Sequence, residues 1–293
     1  MPEFIRLLRP RHWLKNAFIF APLIFSLNLF VTARLFHSAV CFIAFCLASS
    51  FTYILNDFVD RKADRKHPVK KSRPLAAGTV SIAAAAALAA VCLAGSLLLS
   101  YLLELRILAV VAAYIVLNLL YSFYVKNIVI LDVFSIAVGF VLRIFAGSFA
   151  IDVPISNWIM LCTLSVSLFF GFGKRRHDLA VVRDSEKHRA VLTEYSLPLL
   201  DYMMVISATL ACVTYSLWTA DPETALKLGS DKLMFTVPFV LYGICKYLYI
   251  IYKKDGGGDP AEVVSKDIGI IVTGTLWVAT MIVLLYLGHA NLF

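Results

Sequence analysis

One short stretch of the chain concentrates oxygen-bearing side chains: Asn56, Asp57, Asp60 and Asp64. At about 100° per residue, these positions share roughly a quarter of a helix circumference. Three carboxylates on one face repel one another unless a cation lies among them, and carboxylate and amide oxygens are ligands that suit Mg²⁺. The spacing therefore predicts a Mg²⁺ site at these four residues. The alternative is a solvated helix end that forms ordinary salt bridges with the neighbouring basic residues.

A basic loop follows the acidic stretch and contains Lys70, Lys71 and Arg73, with prolines at 68 and 74 that stop helix continuation. A metal ion next to lysine and arginine side chains is a common way to hold a diphosphate, because the basic groups neutralise the remaining phosphate charge. We predict that Lys70, Lys71 and Arg73 bind such a substrate. The alternative is a basic loop that only anchors the chain at a membrane surface.

A second basic segment contains Lys174, Arg175 and Asp178, which share one helical arc of about 100°. We predict that Lys174 takes part in catalysis and that Arg175 and Asp178 contact the substrate, on the same side of a membrane as the acidic stretch. The alternative is a simple ion pair between Lys174 and Asp178, four residues apart on a helix.

Five more polar residues lie next to or within apolar segments and are candidates for substrate binding. They are Lys15, Asn16, Tyr121, Lys126 and Arg143. An arginine inside an apolar segment must face a partner or a wet cavity. Arg143 is therefore either an anion contact at the floor of a pocket or half of a structural ion pair, and the sequence favours neither.

The composition sets the environment in which these residues act. The 293 residues are 60% hydrophobic and only 16% charged, and soluble domains carry about a quarter charged residues. A cytosolic enzyme and a disordered protein are therefore excluded. We predict an all-α integral membrane protein with nine membrane-spanning helices, in a single domain over residues 1–293, with cytoplasmic loops at about 57–79 and 174–197 that cap the active site. The predicted spans are 16–33, 35–56, 74–103, 107–125, 133–151, 153–173, 202–220, 233–252 and 268–293.

The basic residues indicate the orientation. Most of the 27 lysines and arginines fall in the N-terminal segment and in loops that follow even-numbered spans. By the positive-inside rule, the N-terminus and the predicted site face the cytoplasm, across the cell membrane. The net charge of +8 then forms a cationic face suited to anionic headgroups or phosphorylated substrates. Positive-inside topology alone would explain most of this asymmetry.

The pattern Asn56-Asp57-x-x-Asp60-x-x-x-Asp64 resembles the first aspartate-rich motif of the UbiA-type polyprenyl transferase superfamily, whose architecture the nine predicted spans also match. Within it, the chain is most similar to the branch that transfers phosphoribosyl groups to decaprenyl-type phosphates. The strings that carry this closer resemblance are Arg9-Pro-Arg11-x-Trp13-x-Lys15-Asn16, His67-Pro68-x-Lys70-x-x-Arg73-Pro74, Tyr121-Ser122-x-x-x-Lys126, Gly173-Lys174-Arg175 and Gly258-Asp259-Pro260-x-Glu262.

The resemblance implies a UbiA-like helical bundle with a central cavity open to the cytoplasm, Mg²⁺ as cofactor, phosphoribosyl diphosphate as donor and a polyprenyl phosphate as acceptor. It implies no nucleic-acid partner and leaves room for a homo-oligomer. The second aspartate-rich motif of aromatic prenyltransferases is missing, because Asp178 and Asp184 are six residues apart on different helix faces. The missing motif therefore disfavours an aromatic prenyltransferase, which is the first alternative; a membrane transporter is the second.

Overall fold

The computed structural model describes residues 3–66, 70–181, 190–253, 263–264 and 266–287. Several residues singled out above lie outside this part of the chain: His67, Pro68, Asp184 and residues 258–262. The middle of the predicted capping loop at 174–197 lies outside it as well.

Every regular element in the described residues is helical, which confirms the predicted all-α class, whereas the central cavity open to the cytoplasm stays a prediction. Seven helical segments of the described residues are long and apolar enough to cross a membrane, so the chain is a multi-pass membrane protein. The number nine stays a prediction. The long helices are α1 Thr32–Val59, α2 Ile82–Leu103, α3 Leu105–Phe123, α4 Leu131–Ala150, α5 Asn157–Val181, α6 Leu197–Ala220, α7 Val237–Lys253 and α8 Ile268–Ile282.

The chain forms two compact units, Met1–Ile155 and Ser156–Phe293. In the first unit, α1 packs against α2, α3 and α4. Its buried core includes Phe45, Val111 and Ala146 from three different helices. The long apolar stretch of α1 therefore has a packed face, and it carries the acidic residues of its last turn to one end of the unit.

The segment before α1 differs from a single membrane-spanning α-helix. It consists of the α-helix Glu3–Leu8, the 3-10 helix Pro10–Phe20 and the short α-helix Ala21–Phe25. Pro10 limits continuation at the first junction, because it lacks an N–H donor and restricts Arg9 before it, whereas the backbone stays right-handed helical through Phe20 and Ala21 at the second. The first part of the predicted span 16–33 thus combines the end of this 3-10 helix with a short α-helix, and the span itself stays a prediction.

The 3-10 helix lies very close to α4 at Gly147. A Cβ atom added at Gly147 would lie only 2.1 Å from the carbonyl oxygen of Ile19. The absence of a side chain at Gly147 is therefore what allows this contact between two backbones.

The second unit contains α5 to α8, with its most extensive packing between α5 and α6. Tyr215 of α6 links three elements through its hydroxyl, which lies 2.7 Å from the Thr236 hydroxyl and accepts from Trp277 Nε1 at 2.7 Å. These bonds satisfy polar groups within an otherwise apolar bundle.

Candidate active site

The acidic stretch lies where α1 ends. The Asp60 N–H donates to the Asn56 carbonyl and the Asp64 N–H to the Asp60 carbonyl, so helical spacing continues into the short helix Arg61–Asp64. Asp57 and Asp64 are almost fully buried, whereas Asn56 and Asp60 are half-buried. A buried carboxylate is costly unless it is paired, so the partners of these residues define the site.

Asp57 Oδ1 accepts two charged hydrogen bonds. Arg9 Nη2 donates to it at 2.5 Å and Arg73 Nη1 donates to it at 3.0 Å. Arg73 Nη1 also donates to Asp64 Oδ2 at 2.7 Å. One guanidinium nitrogen therefore holds an oxygen of Asp57 and an oxygen of Asp64, which brings the two carboxylates together around a single positive group.

Asp60 has a different basic partner. Lys126 Nζ donates to Asp60 Oδ1 at 2.7 Å, from the 3-10 turn Val125–Asn127 that follows α3. Both side chains are mostly buried. The structure thus brings five of the predicted site residues of the first unit into these contacts, namely Asp57, Asp60, Asp64, Arg73 and Lys126.

Two arginines of the short helix fix the loop that carries Arg73. Arg61 Nε donates to the Leu75 carbonyl at 3.0 Å, and Arg65 Nε donates to the Ala76 carbonyl at 3.1 Å. These bonds satisfy backbone acceptors directly after Arg73. Arg61 and Arg65 thus serve to position the loop.

The N-terminal helix supports the same loop from its other side. Arg6 Nη2 donates to the Ser72 carbonyl at 3.1 Å, while Glu3 Oε2 accepts from Thr79 Oγ1 at 2.9 Å. The hydrogen bonds from Arg6 and then Thr79 hold the pKa of Glu3 below its ordinary value. Because the pKa is lowered in the folded chain, this tie is present at neutral pH and is lost as the pH falls through the lowered value.

The donor set fits Mg²⁺, which proteins usually hold through one or two carboxylates together with substrate phosphates. Asp57 and Asp64 already converge on one cationic group, and the remaining candidate ligands, Asn56 and Asp60, also offer oxygen. Among the described residues, no three histidine, cysteine, aspartate or glutamate side chains converge on one metal position.

Arg143 lies in a separate buried cluster. Its Nε donates to Asn16 Oδ1 at 2.7 Å, its Nη1 to the Gly139 carbonyl at 2.6 Å and its Nη2 to the Tyr114 hydroxyl at 3.1 Å. The guanidinium also lies 4.8 Å from the Tyr114 ring centroid and 5.2 Å from that of Phe140. These partners are neutral, unlike the ion pair that sequence reasoning offered as the structural alternative.

Asn16 completes this cluster. Its side chain is fully buried and donates to Cys46 Sγ and Ser49 Oγ, each at 3.3 Å. The Asn16–Arg143 pair joins the 3-10 helix to α1, α3 and α4. A substrate contact for Asn16 or Arg143 stays a prediction, and the observed contacts serve packing.

We expect Arg143→Lys to destabilise the protein by about 2 kcal/mol, because one ammonium group cannot reach three acceptors placed around a planar guanidinium. Thermal unfolding of the detergent-solubilised protein measures this. Arg106→Lys is the matched control, since Arg106 is exposed and pairs with Glu104 and Asp152. An unchanged melting temperature in Arg143→Lys, together with a raised KM for the lipid acceptor, would instead identify Arg143 as a substrate contact.

The other predicted residues of the first unit lie around these two clusters. Lys15 is half-buried on the 3-10 helix beside Asn16, and Tyr121 is half-buried near the end of α3. Lys70 is half-buried and Lys71 exposed, both in the turn Lys70–Ser72 directly before Arg73. Substrate contacts for these four residues stay predictions.

In the second unit, α5 carries Lys174, Arg175 and Asp178 in its C-terminal part. Lys174 is half-buried and Arg175 is buried, and Arg175 Nη1 donates to Asp178 Oδ2 at 3.3 Å. The described ion pair of Asp178 is thus with Arg175, three residues before it. The neighbouring Arg176 donates to Asp201 Oδ1 at 2.5 Å and fixes α5 to α6.

Arg9 is the functional candidate that sequence reasoning missed. It belongs to the quoted string Arg9-Pro-Arg11, yet nothing in its local spacing connects it with Asp57, 48 residues away. The available signal was indirect, because a buried aspartate needs a cation and Arg9 lies in a basic segment predicted to border the membrane on the same side.

Comparison with known proteins identifies close relatives of the whole chain. The decaprenyl-phosphate phosphoribosyltransferase of Mycolicibacterium smegmatis is 33% identical, with 94% of this chain and 90% of that protein covered. The enzyme of the same name from Corynebacterium glutamicum is 32% identical, with 97% and 86% covered.

Solved structures share the fold. A UbiA homolog from Archaeoglobus fulgidus bound to GPP and Mg²⁺ superposes with a TM-score of 0.69 at 20% identity, covering 97% of this chain and 99% of that one. The same homolog bound to Cd²⁺ gives a TM-score of 0.70 at 16% identity over the same shares. The sequence pattern of the UbiA prenyltransferase family matches residues 17–263. The chain therefore belongs to the UbiA prenyltransferase family.

Proposed function

We propose that this protein transfers the 5-phosphoribosyl group of phosphoribosyl diphosphate to a polyprenyl phosphate of the decaprenyl type and releases diphosphate. The observation that carries the proposal is the convergence of Asp57 and Asp64 on Arg73, beside the Asp60–Lys126 pair. This arrangement offers carboxylates for a divalent cation and basic groups for phosphates within one small region. The two relatives described above, which carry the name of this activity, support the same reaction.

The donor is expected to bind at the acidic stretch at the end of α1, called the acidic cluster from here on. Asp57, Asp60 and Asp64, with Asn56, would hold Mg²⁺, which when bound neutralises diphosphate charge and favours its departure. Lys70, Lys71 and Arg73 supply positive charge from the loop. In the second unit, Lys174 and Arg175 would bind anionic oxygens and Asp178 would orient a ribose hydroxyl or a basic neighbour.

The acceptor is expected to reach the reaction centre from the lipid phase. Its phosphate would be placed by Lys15, Lys126 or Arg143, while the tail lies between apolar helices. A polyprenyl phosphate is already anionic, so a general base is not required. An acceptor oxygen attacks C1 of the ribose, the bond from C1 to the diphosphate oxygen breaks, and direct attack inverts C1.

The chain lowers the barrier mainly by bringing together two anions that repel each other and by stabilising the leaving diphosphate. Both effects require positively charged side chains around the phosphates. Arginine and lysine side chains that are held by other parts of the protein can do this without reorganising during the reaction.

The reaction can be tested with the purified full-length protein, Mg²⁺, labelled phosphoribosyl diphosphate and polyprenyl phosphates of several lengths. We expect a labelled, lipid-soluble product and release of diphosphate. A parallel reaction with a polyprenyl diphosphate and 4-hydroxybenzoate tests aromatic prenylation. Product in that reaction alone would overturn the proposal, as would the absence of phosphoribosylated lipid at every chain length.

The proposed location is the cell membrane, with the N-terminus and the active site on the cytoplasmic side. The concentration of lysine and arginine in the predicted cytoplasmic loops supports this orientation. Such a location gives the site access to a soluble sugar diphosphate and to a membrane-bound acceptor.

A further inference from the structure

The acidic cluster is matched by basic groups one for one. Asp57 and Asp64 contact Arg9 and Arg73, and Asp60 contacts Lys126. Each of these side chains is at least three-quarters buried. Charges in such a poorly hydrated setting interact more strongly than surface charges do. Any further cation that enters the cluster must therefore compete with these arginines and this lysine.

Arg9 is held in its position by more than its ion pair. Its backbone adopts the left-handed conformation, with φ 52° and ψ 58°, directly before Pro10. This conformation is unfavourable for a residue with a side chain. The guanidinium also stacks 5.1 Å from the ring centroid of Tyr53, which lies one helical turn before Asp57. Contacts with Tyr53 and Asp57 offset the backbone cost and keep the Arg9 charge at the carboxylate.

We propose that, because of Arg9 and Arg73, the acidic cluster binds a divalent cation more tightly when the cation arrives with a diphosphate than when it arrives alone. This inference rests on the proposed function. A free divalent ion at Asp57 would add positive charge beside two guanidinium groups and would gain nothing from them. A diphosphate supplies several anionic oxygens to which the displaced guanidinium groups can donate. The same arginines that oppose a bare metal therefore stabilise the metal–diphosphate pair.

Arg9 and Arg73 also differ in how their side chains can move when a cation and a diphosphate bind. Arg73 lies in a loop whose neighbouring carbonyls are held by Arg61 and Arg65, so its side chain can turn while its backbone stays in place. Arg9 lies at a junction between two helices. The backbone around Arg73 is thus held by bonds to neighbouring carbonyls, whereas the Arg9 side chain is held by Asp57 and Tyr53.

Equilibrium dialysis of the purified protein against radioactive Mn²⁺, with and without inorganic diphosphate, tests this inference without an activity measurement. We expect the wild-type protein to retain about tenfold more Mn²⁺ when diphosphate is present, the scale on which one neighbouring charge changes an ionic equilibrium at a carboxylate. Arg9→Gln and Arg73→Gln should bind Mn²⁺ alone about tenfold more tightly than the wild type. Arg9→Lys keeps the charge and should behave like the wild type. Arg106→Gln is a control for the loss of an arginine elsewhere in the same unit.

The outcomes separate this inference from the proposed function. Equal Mn²⁺ retention with and without diphosphate in the wild type would overturn the inference and leave the transfer reaction standing. Diphosphate-dependent retention that Arg9→Gln and Arg73→Gln both leave unchanged would also overturn it, because the arginines would then not be the cause. No retention under any condition would overturn the metal site together with the inference. The wild-type comparison needs no variant, so it stays decisive even where a substitution impairs folding.

Discussion

Asp60→Asn is expected to reduce the rate of phosphoribosyl transfer by a factor of about 10³. Removing one group that stabilises the charge developing in a transition state usually has an effect of this size. The amide keeps the size of the side chain and an oxygen that can still accept from Lys126 Nζ. It removes the negative charge that a divalent cation requires. The initial rate at saturating Mg²⁺ and donor measures the effect, and the melting temperature should change little because the amide oxygen still accepts from Lys126 Nζ.

Asp152→Asn is the matched control for this variant. Asp152 follows the far end of α4 and pairs with exposed Arg106, so its loss should leave transfer unchanged. If Asp60→Asn keeps wild-type activity with the same Mg²⁺ dependence, Asp60 has no role in metal binding.

Gly147→Ala is expected to destabilise the fold by about 3 kcal/mol, the upper part of the usual range for overpacking. The new Cβ would lie 2.1 Å from the Ile19 carbonyl oxygen and 2.9 Å from its carbon. Both atoms belong to the backbone, so no side-chain rotation relieves the clash and the 3-10 helix must move away from α4. The yield of monodisperse protein and its melting temperature measure the effect.

Gly139→Ala, two turns earlier on the same helix, provides the comparison. Its nearest atoms are Arg143 Nη1 at 3.6 Å and a Tyr114 ring carbon at 3.7 Å, which are ordinary contacts. We expect a change within about 1 kcal/mol, since alanine is also the better helix former. Equal melting temperatures for the two variants would show that the close approach at Gly147 does not limit stability.

The sequence predicted the helical membrane fold because long charge-free stretches have few other stable forms in a bilayer. It also placed the acidic residues correctly at the end of a long helix, since Asp57 lies in the last turn of α1. Both features depend on local composition and spacing, which a single sequence displays directly.

Long-range partners were beyond such reasoning. Arg9 pairs with Asp57 across 48 residues, and Arg143 bonds to Asn16 across 127 residues. Only the packing of the 3-10 helix against α1 and α4 brings these groups together. The first predicted span shows a related limit, because hydropathy reports apolar length and does not tell a 3-10 helix from an α-helix.

The N-terminal helix Glu3–Leu8 contacts the loop that carries Arg73 on either side of that residue. Arg6 donates to the Ser72 carbonyl, and Glu3 accepts from the Thr79 hydroxyl. Glu3 and Arg6 are reachable from outside, whereas Asp57 and Asp64 are enclosed. An antibody fragment or a small molecule that displaced this N-terminal helix from the loop would therefore disturb the contacts of Arg73 with Asp57 and Asp64 without binding at the two carboxylates. An inhibitor of that kind would not need to resemble the highly charged sugar diphosphate.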